Sequence, residues 1–290
     1  MKLDALHSVC VAGAGQMGRQ IALNNAIYGY ETRLFDTEKG ALESARSWAD
    51  HYWEGRIAKG RMTPEAVAAA KEKLIFCSDL EEAAGGADLV VEAIIEQFEA
   101  KKALFSKLCK LVSEDAIICS NSSSMVPSTF QDVVTNPARF GNLHYFNPAL
   151  VMKLTEVVGS PLTSPETLET LAAFSKATGK RPVVLKKEID GFIANRVLRA
   201  IDAEAIYLVE AGIAEPEDID AALELGLGHP MGPFRMDDLV GLDVRYLIMK
   251  KHYEETGIKR PGYDVVEAKY QAGELGKKTG KGWYDYSKEA

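Results

Sequence analysis

One histidine and one glutamate in the middle of the chain have the residue types of an acid–base pair. His144 lies in the apolar stretch FGNLHYF, and Glu156 follows twelve positions later (156 − 144) in KLTEVVG. Both stretches are typical of strands, so a turn through Asn147-Pro148 would allow the two side chains to meet. An imidazole can give or take a proton near neutral pH, and a carboxylate can fix its tautomer. A histidine at a strand end is more often a packing residue, so the surrounding elements decide between these interpretations.

The first part of the chain alternates short strand-like runs with helical patterns. This alternation predicts a doubly wound, mostly parallel sheet of Rossmann type with helices on both faces. The last three runs have too little chain between them for most helical crossovers. The predicted strands are SVCVAG, ETRLFD, KLIFC, DLVVEA, AIICS, FGNLHYF, KLTEVVG and RPVVLK.

After Lys186 the pattern becomes almost entirely helical, from Asp190 to about Gln271. Glu215-Pro216 is a helix start with proline in the first turn, and Gly212 and Gly228 stand where helices end. We therefore predict two domains, an NAD-binding domain over residues 1–187 and an all-helical domain over residues 188–290.

A glycine-rich turn follows the first predicted strand. Gly13, Gly15 and Gly18 form a GxGxxG pattern at the start of a helix, which in dinucleotide sites lets the pyrophosphate approach the backbone. We expect Gln16 and Met17, between the second and third glycines, to share this contact. Asp36 ends the second strand, 23 positions after Gly13 (36 − 13), and is the expected partner of the adenosine ribose. No arginine lies beside it, so the sequence favours NAD over NADP.

Composition excludes several classes of protein. The 290 residues carry a net charge of −8, which argues against nucleic-acid binding. The N-terminus runs directly into a strand-like segment without the pattern of a signal peptide, and no apolar run could span a membrane, so we predict a cytoplasmic protein. The spacing of the histidines and cysteines gives no metal motif, and reduced, buried cysteines are expected.

Seven motifs in order resemble the L-3-hydroxyacyl-CoA dehydrogenases, most closely the bacterial 3-hydroxybutyryl-CoA dehydrogenases. The resemblance spans nearly the whole chain and implies a homodimer formed through the helical domain, with the active site in the cleft between domains. It also implies an acyl-CoA substrate, NAD as cofactor, and a role in fatty acid and butanoate metabolism. The motifs are GAGQMG, VVEAIIE, SNSSS, GNLHYFNPALVMKLTEVV, DGFIANR, HPMGPF and GKKTGKGWYDY.

The resemblance assigns roles to individual residues. His144 matches the catalytic base and Glu156 the carboxylate that orients it. Ser123 and Asn195 match the substrate-contacting serine and amide. The remaining matches are Ala93 beside the cofactor, Glu96 and Lys101 near its nicotinamide end, and Lys59 at the coenzyme A moiety, where Arg56 could add a contact. Without the resemblance, Ser123 would be a polar turn, Asn195 a helix-surface amide, and the charged residues solvated faces.

Three departures from the family pattern concern the substrate and keep other functions open. Gly55 stands where relatives often have a lysine, and Asp190 replaces a proline before Gly191. The serine loop reads NSSSMVPS, which drifts toward the gulonate and carnitine dehydrogenases. A carnitine or sugar-acid dehydrogenase is therefore one alternative, which VMKLTEVV disfavours. A non-catalytic NAD-binding redox sensor is another, which the complete set of catalytic residues disfavours.

Overall fold

The computed structural model describes residues 3–287 and divides into two compact units, the first ending at Ile193 and the second beginning at Ala194. The division falls six residues after the predicted boundary at 187 (193 − 187). The reason is that Phe192 is buried against Val158 and Leu185 of the first unit. No helix within residues 3–287 is long and apolar enough to cross a bilayer.

Eight strands in the described part of the chain form one sheet, in the order β3-β2-β1-β4-β5-β6-β7-β8. All eight predicted strands are confirmed. Neighbouring strands are parallel except β6 and β7, which are antiparallel. The strands are β1 Ser8–Ala12, β2 Glu31–Phe35, β3 Leu74–Cys77, β4 Leu89–Glu92, β5 Ile117–Ser120, β6 Phe140–Tyr145, β7 Leu154–Val158 and β8 Arg181–Val184.

Helices cover both faces of this sheet, as predicted. One core cluster joins the sheet to α1, α2, α3 and α6, and another joins it to α4 and α5. Cys10, Cys77 and Cys119 are buried in these cores. The helices of the first unit are α1 Gln16–Ile27, α2 Lys39–Ala58, α3 Pro64–Glu72, α4 Leu80–Ala84, α5 Phe98–Leu111 and α6 Pro165–Ala177.

Helix α6 corrects the expectation that the last strands lack room for a helical crossover. It joins β7 to β8, which are parallel. Its sequence carries ordinary start signals, because Ser164 caps the first turn by accepting a hydrogen bond from the Thr167 N–H and Pro165 follows directly. Between β5 and β6, by contrast, the chain makes only short 3₁₀ turns.

The second unit is helical, as predicted. Its first helix begins four residues after the predicted start at Asp190 (194 − 190), because Gly191 and Phe192 both have positive φ angles that a helix excludes. One π-helical turn, Ala222–Gly226, extends the second helix. The helices are α7 Ala194–Glu210, α8 Pro216–Ala221, α9 Pro233–Val240, α10 Leu242–Thr256 and α11 Tyr263–Gln271.

Two buried carboxylates organise this helical unit. Asp220 accepts hydrogen bonds from the Phe234 and Arg235 N–H groups at the start of α9. Asp238, on α9 itself, accepts the N–H groups of Trp283 and Tyr284. The buried Asp238 carboxylate, 1% exposed, therefore helps to dock the GKKTGKGWYDY segment on α9, together with the contact between the Phe234 and Trp283 rings.

Candidate active site

His144 and Glu156 form a buried hydrogen-bonded pair. Nδ1 of His144 lies 3.0 Å from Oε2 of Glu156, and the two residues are 6% and 1% exposed. The other carboxylate oxygen accepts the Ile193 N–H at 2.9 Å. Because Nδ1 faces the carboxylate, Nε2 is the nitrogen that remains for proton exchange with a ligand.

Strand register produces this contact. His144 and Glu156 are directly opposite each other in the antiparallel β6–β7 pair, so their side chains project from the same face of the sheet. The imidazole packs against two aromatic rings, with centroid distances of 4.5 Å to Phe146 and 5.5 Å to Phe192. Packing and the hydrogen bond together fix the orientation of the ring.

A second buried charge pair lies at the end of strand β4, which β5 separates from β6. Glu92 is fully buried, and its Oε1 is 2.5 Å from Nζ of Lys101, which is 1% exposed. Ser120, at the end of β5, donates its hydroxyl to the other carboxylate oxygen at 2.6 Å. The interpretation of Lys101 as a solvated helix residue is therefore wrong.

Glu96 links this pair to the serine loop after β5. Its carboxylate lies 3.1 Å from Lys101 Nζ and accepts the hydroxyls of Ser122 and Ser124. Burial would raise the pKa of Glu96, but the Lys101 charge and these hydroxyl donors outweigh it and hold the pKa below its usual range. Glu96 is therefore an anion at neutral pH, fixed in position by three donors.

Two amides tie the serine loop to the strand that carries His144. Oδ1 of Asn121 accepts the N–H of Tyr145, the residue after His144, at 2.8 Å. Nδ2 of Asn142, on β6, donates to the carbonyls of Ser122 and Met125. The conformation of the loop and the end of β6 are therefore set together.

The glycine turn has the shape that a dinucleotide pyrophosphate requires. A Cβ on Gly13 would lie 2.5 Å from the Ala93 carbonyl oxygen, and one on Gly18 would lie 1.7 Å from the Gly13 oxygen. Gly15 faces open space instead, and no side chain caps the first turn of α1. The N–H groups there remain available to a phosphate, so these residues fit NAD.

Asp36 is fixed beside this turn. Its Oδ2 accepts the Ala14 N–H at 2.8 Å, and its Oδ1 accepts the Glu38 N–H at 2.9 Å. The glycine turn, Asp36, Glu92, Ser120 and His144 all follow or end parallel strands at the carboxyl edge of the sheet. This edge is where open α/β sheets bind their ligands.

The remaining predicted residues have less defined surroundings. Ser123 is partly exposed in the serine loop, and Asn195 is partly exposed in the first turn of α7, in the second unit. Met17 packs partly against the core, while Gln16 is exposed and reaches Asn147. Their contacts with ligands stay predictions.

The basic cluster lies at the end of α2. Burial raises the pKa of Tyr52, and the nearby charges of Arg56 and Arg61 oppose this rise. The Arg56 guanidinium lies 5.8 Å from the centre of the Tyr52 ring. Nε of Arg56 is buried without a hydrogen-bond partner. Lys59 is exposed directly after the helix. Such a group of cations suits an anionic ligand.

Sequence reasoning missed Glu92, Asn121 and Asn142. Glu92 had a detectable signal, since it is a charged residue at the end of the apolar strand LVVE and a fully buried carboxylate needs a partner. Nothing local marks Asn142, because its two acceptors lie about twenty residues earlier in the chain.

The fold and site define a dinucleotide-dependent dehydrogenase, and the comparisons with known proteins identify its family. Residues 8–189 match the 3-hydroxyacyl-CoA dehydrogenase NAD binding domain, and residues 191–286 match the C-terminal domain of the same family. The chain belongs to the 3-hydroxyacyl-CoA dehydrogenase family and is an NAD-dependent enzyme.

Individual relatives agree with this assignment. The chain is 40% identical to the human mitochondrial hydroxyacyl-coenzyme A dehydrogenase, with 96% of this chain and 90% of the relative covered. It is 36% identical to a probable 3-hydroxybutyryl-CoA dehydrogenase of Bacillus subtilis, covering 98% and 99%. The solved structure of (S)-3-hydroxybutyryl-CoA dehydrogenase from Ralstonia eutropha is similar at a TM-score of 0.89 and 32% identity, covering 98% and 100%.

Proposed function

We propose that this enzyme interconverts (S)-3-hydroxyacyl-CoA and 3-oxoacyl-CoA, with 3-hydroxybutyryl-CoA and acetoacetyl-CoA as its short-chain substrates. The buried 3.0 Å contact between His144 and Glu156 is the observation that carries the chemistry. The similarity to the Bacillus and Ralstonia proteins, both named as 3-hydroxybutyryl-CoA dehydrogenases, supports the short chain length. A role in fatty acid and butanoate metabolism and a cytoplasmic location are further predictions.

In this mechanism Nε2 of His144 takes the proton of the substrate 3-hydroxyl during oxidation and returns it during reduction. Glu156 holds the proton on Nδ1 and stabilises the imidazolium that forms. NAD, held at the glycine turn and Asp36, would supply the hydride acceptor for oxidation at C3 and, as NADH, the hydride donor for reduction. Because Glu156 also accepts the Ile193 N–H, the carboxylate cannot rotate freely away from the imidazole.

The other assigned residues bind and orient. Ser123 and Asn195 donate hydrogen bonds to the substrate oxygens and so align C3 with the cofactor. Lys101 and Glu96 border the nicotinamide end of the cofactor site. Arg56 and Lys59 bind the phosphates of coenzyme A, and Arg56 compensates for the glycine at position 55. The exposed Lys59 and the Nε of Arg56, which has no hydrogen-bond partner among the described residues, support this role.

The activity assay is NADH oxidation by the purified protein with acetoacetyl-CoA, beside NADPH and beside a longer 3-oxoacyl-CoA. We expect fast turnover with NADH and acetoacetyl-CoA and slower turnover with the other combinations. Turnover of dehydrocarnitine with NADH, or of carnitine or a sugar acid with NAD⁺, in place of acyl-CoA would instead indicate a carnitine or sugar-acid dehydrogenase. Tight NADH binding without turnover of any substrate would indicate a non-catalytic sensor.

We also propose a homodimer formed through the helical unit. Several of its helices expose large apolar side chains, which would be costly to leave in water. Leu247, on α10, is 55% exposed, and its neighbours Val244 and Ile248 are 41% and 53% exposed. Further exposed apolar residues of this unit are Val197, Leu198, Tyr207, Leu225, Leu227, Leu239 and Val240.

Light scattering after size-exclusion chromatography tests the dimer. We expect twice the mass of one chain for the wild type and a shift toward the monomer for Leu247→Asp. Leu162→Asp is the matched control, because Leu162 has a similar exposure of 53% but belongs to the first unit. A monomeric wild type, or equal effects of the two variants, would contradict the proposal.

A further inference from the structure

The connector between β6 and β7, residues 146–153, joins the two halves of the His144–Glu156 pair. Strand β6 ends at Tyr145, one residue after His144, and β7 begins at Leu154, two residues before Glu156. Its centre is a turn in which the N–H groups of Val151 and Met152 both donate to the Pro148 carbonyl. The position of this turn therefore bears on the position of the imidazole.

The connector is hydrogen-bonded to the helix that opens with the glycine turn. Nε2 of Gln16, the first residue of α1, donates to Oδ1 of Asn147 at 3.2 Å. One turn later, Oε1 of Gln20 accepts the Leu150 N–H at 3.4 Å. Gln20 is 5% exposed and also donates to the Gln16 carbonyl. The same helix face that starts at the cofactor turn thus contacts the connector.

Lys180 also holds the connector through hydrogen bonds. It directly precedes β8 and is 7% exposed. Its ammonium donates to the carbonyl of Ala149 and, at 3.0 Å, to that of Met152. Ala149 is itself 1% exposed in the core, so the contact fixes a buried point of the turn.

This ammonium has an unusual environment for a lysine. Burial, with a smaller contribution from the charge of Lys153, lowers the pKa of Lys180 to about 8, and no carboxylate in the described chain offsets the cost. A buried charge without a counterion is expensive, and an apolar side chain of similar length would avoid that cost. What the ammonium supplies, and an apolar side chain would not, is a pair of hydrogen bonds to the Ala149 and Met152 carbonyls.

We propose that Lys180 is a positioning residue of the dehydrogenase reaction, which fixes the connector against α1 and thereby sets the His144 imidazole relative to the cofactor. The inference rests on the proposed function, since it concerns the same catalytic base. Lys180 acts through the Ala149 and Met152 carbonyls and touches neither substrate nor cofactor. Loss of the ammonium should release the connector while the glycine turn stays intact.

The test is Lys180→Met, with Lys176→Met as the matched control. Lys176 is exposed on the last turn of α6, four residues before Lys180. Since a misplacement of 1 Å can cost about 10²-fold in rate, we expect kcat for acetoacetyl-CoA reduction to fall about tenfold or more. KM and the NADH Kd should change less than about threefold. The control should behave as wild type.

Stability is measured in parallel, because a structural role alone would lower Tm without lowering kcat. Assays well below the Tm of the variant, normalised to bound NADH per chain, separate the two effects. If Lys180→Met does not fold, Gln20→Met replaces it, since this change removes the acceptor of the Leu150 N–H and should also lower kcat. A kcat within twofold of wild type in the folded variant would overturn the proposal.

Amide hydrogen exchange distinguishes failure of this inference from failure of the proposed function. In the wild type, NADH should slow exchange in residues 146–153 through Gln16 and Gln20, and Lys180→Met should lose this protection. The wild type could be inactive with acyl-CoA and still show NADH-dependent protection of residues 146–153 that Lys180→Met lacks. That result would refute the acyl-CoA assignment and support the role of Lys180. Equal protection in both proteins would refute the role of Lys180.

Discussion

Replacing Glu156 by glutamine is the sharpest test of the catalytic pair. The change keeps the shape of a side chain that is 1% exposed, but it removes the charge that faces Nδ1 of His144 at 3.0 Å. A hydrogen bond to a charged group contributes about 1.5–3 kcal/mol, and each ~1.4 kcal/mol is a factor of ten in rate. We therefore expect kcat to fall by about 10- to 10²-fold, toward the larger value because the carboxylate is desolvated.

The assay is steady-state acetoacetyl-CoA reduction together with NADH binding followed by tryptophan fluorescence. NADH affinity should change little, since Asp36 and the glycine turn are untouched. Thr155→Val is the matched control, because Thr155 is the preceding β7 residue and its buried hydroxyl has no hydrogen-bond partner. Full activity of Glu156→Gln, or an equal loss in Thr155→Val, would refute the catalytic pair.

Three other variants test separate parts of the structure. His144→Gln should lose most of kcat with NADH affinity nearly unchanged, so a kcat close to wild type would remove the proposed base. Asp36→Ala should erode the preference for NADH over NADPH, and equal use of both cofactors by the wild type would contradict the role of Asp36. Burial, partly offset by Arg245 and reinforced by the charge of Asp202, raises the pKa of Asp237 from 3.8 to about 6. The folded chain therefore binds an additional proton between about pH 4 and 6, and its free energy of unfolding should fall as pH rises through this window. In urea unfolding at several pH values, the free energy of unfolding of Asp237→Asn should fall less steeply with pH than that of the wild type. Identical pH slopes for the two proteins would count against this argument.

The sheet and most of the helical unit could be predicted because their signals are local. Each strand is a short apolar run bounded by turn residues, and each helix has its own periodicity and end signals. Helix α6 was missed although Ser164 and Pro165 mark its start. The start of α7 was set too early, since only backbone angles reveal that Gly191 and Phe192 interrupt the helix.

The candidate site could be predicted in part. The types of residue at positions 144 and 156 and the glycine pattern indicated proton transfer and a dinucleotide. Glu92 and Asn142 were not recognised, because their roles depend on partners in other strands. Ser123 and Asn195 stay predictions from the resemblance.

The sequence by itself determined which segments become strands and helices, where the cofactor turn lies, and which residues can carry charge or protons. These properties depend on neighbours within a few positions, so they can be read from local spacing. Only the tertiary structure decided that His144 faces Glu156, because strand register sets that pairing. It also decided that the cations of Lys101 and Lys180 are buried, since burial is produced by segments that are distant in the chain.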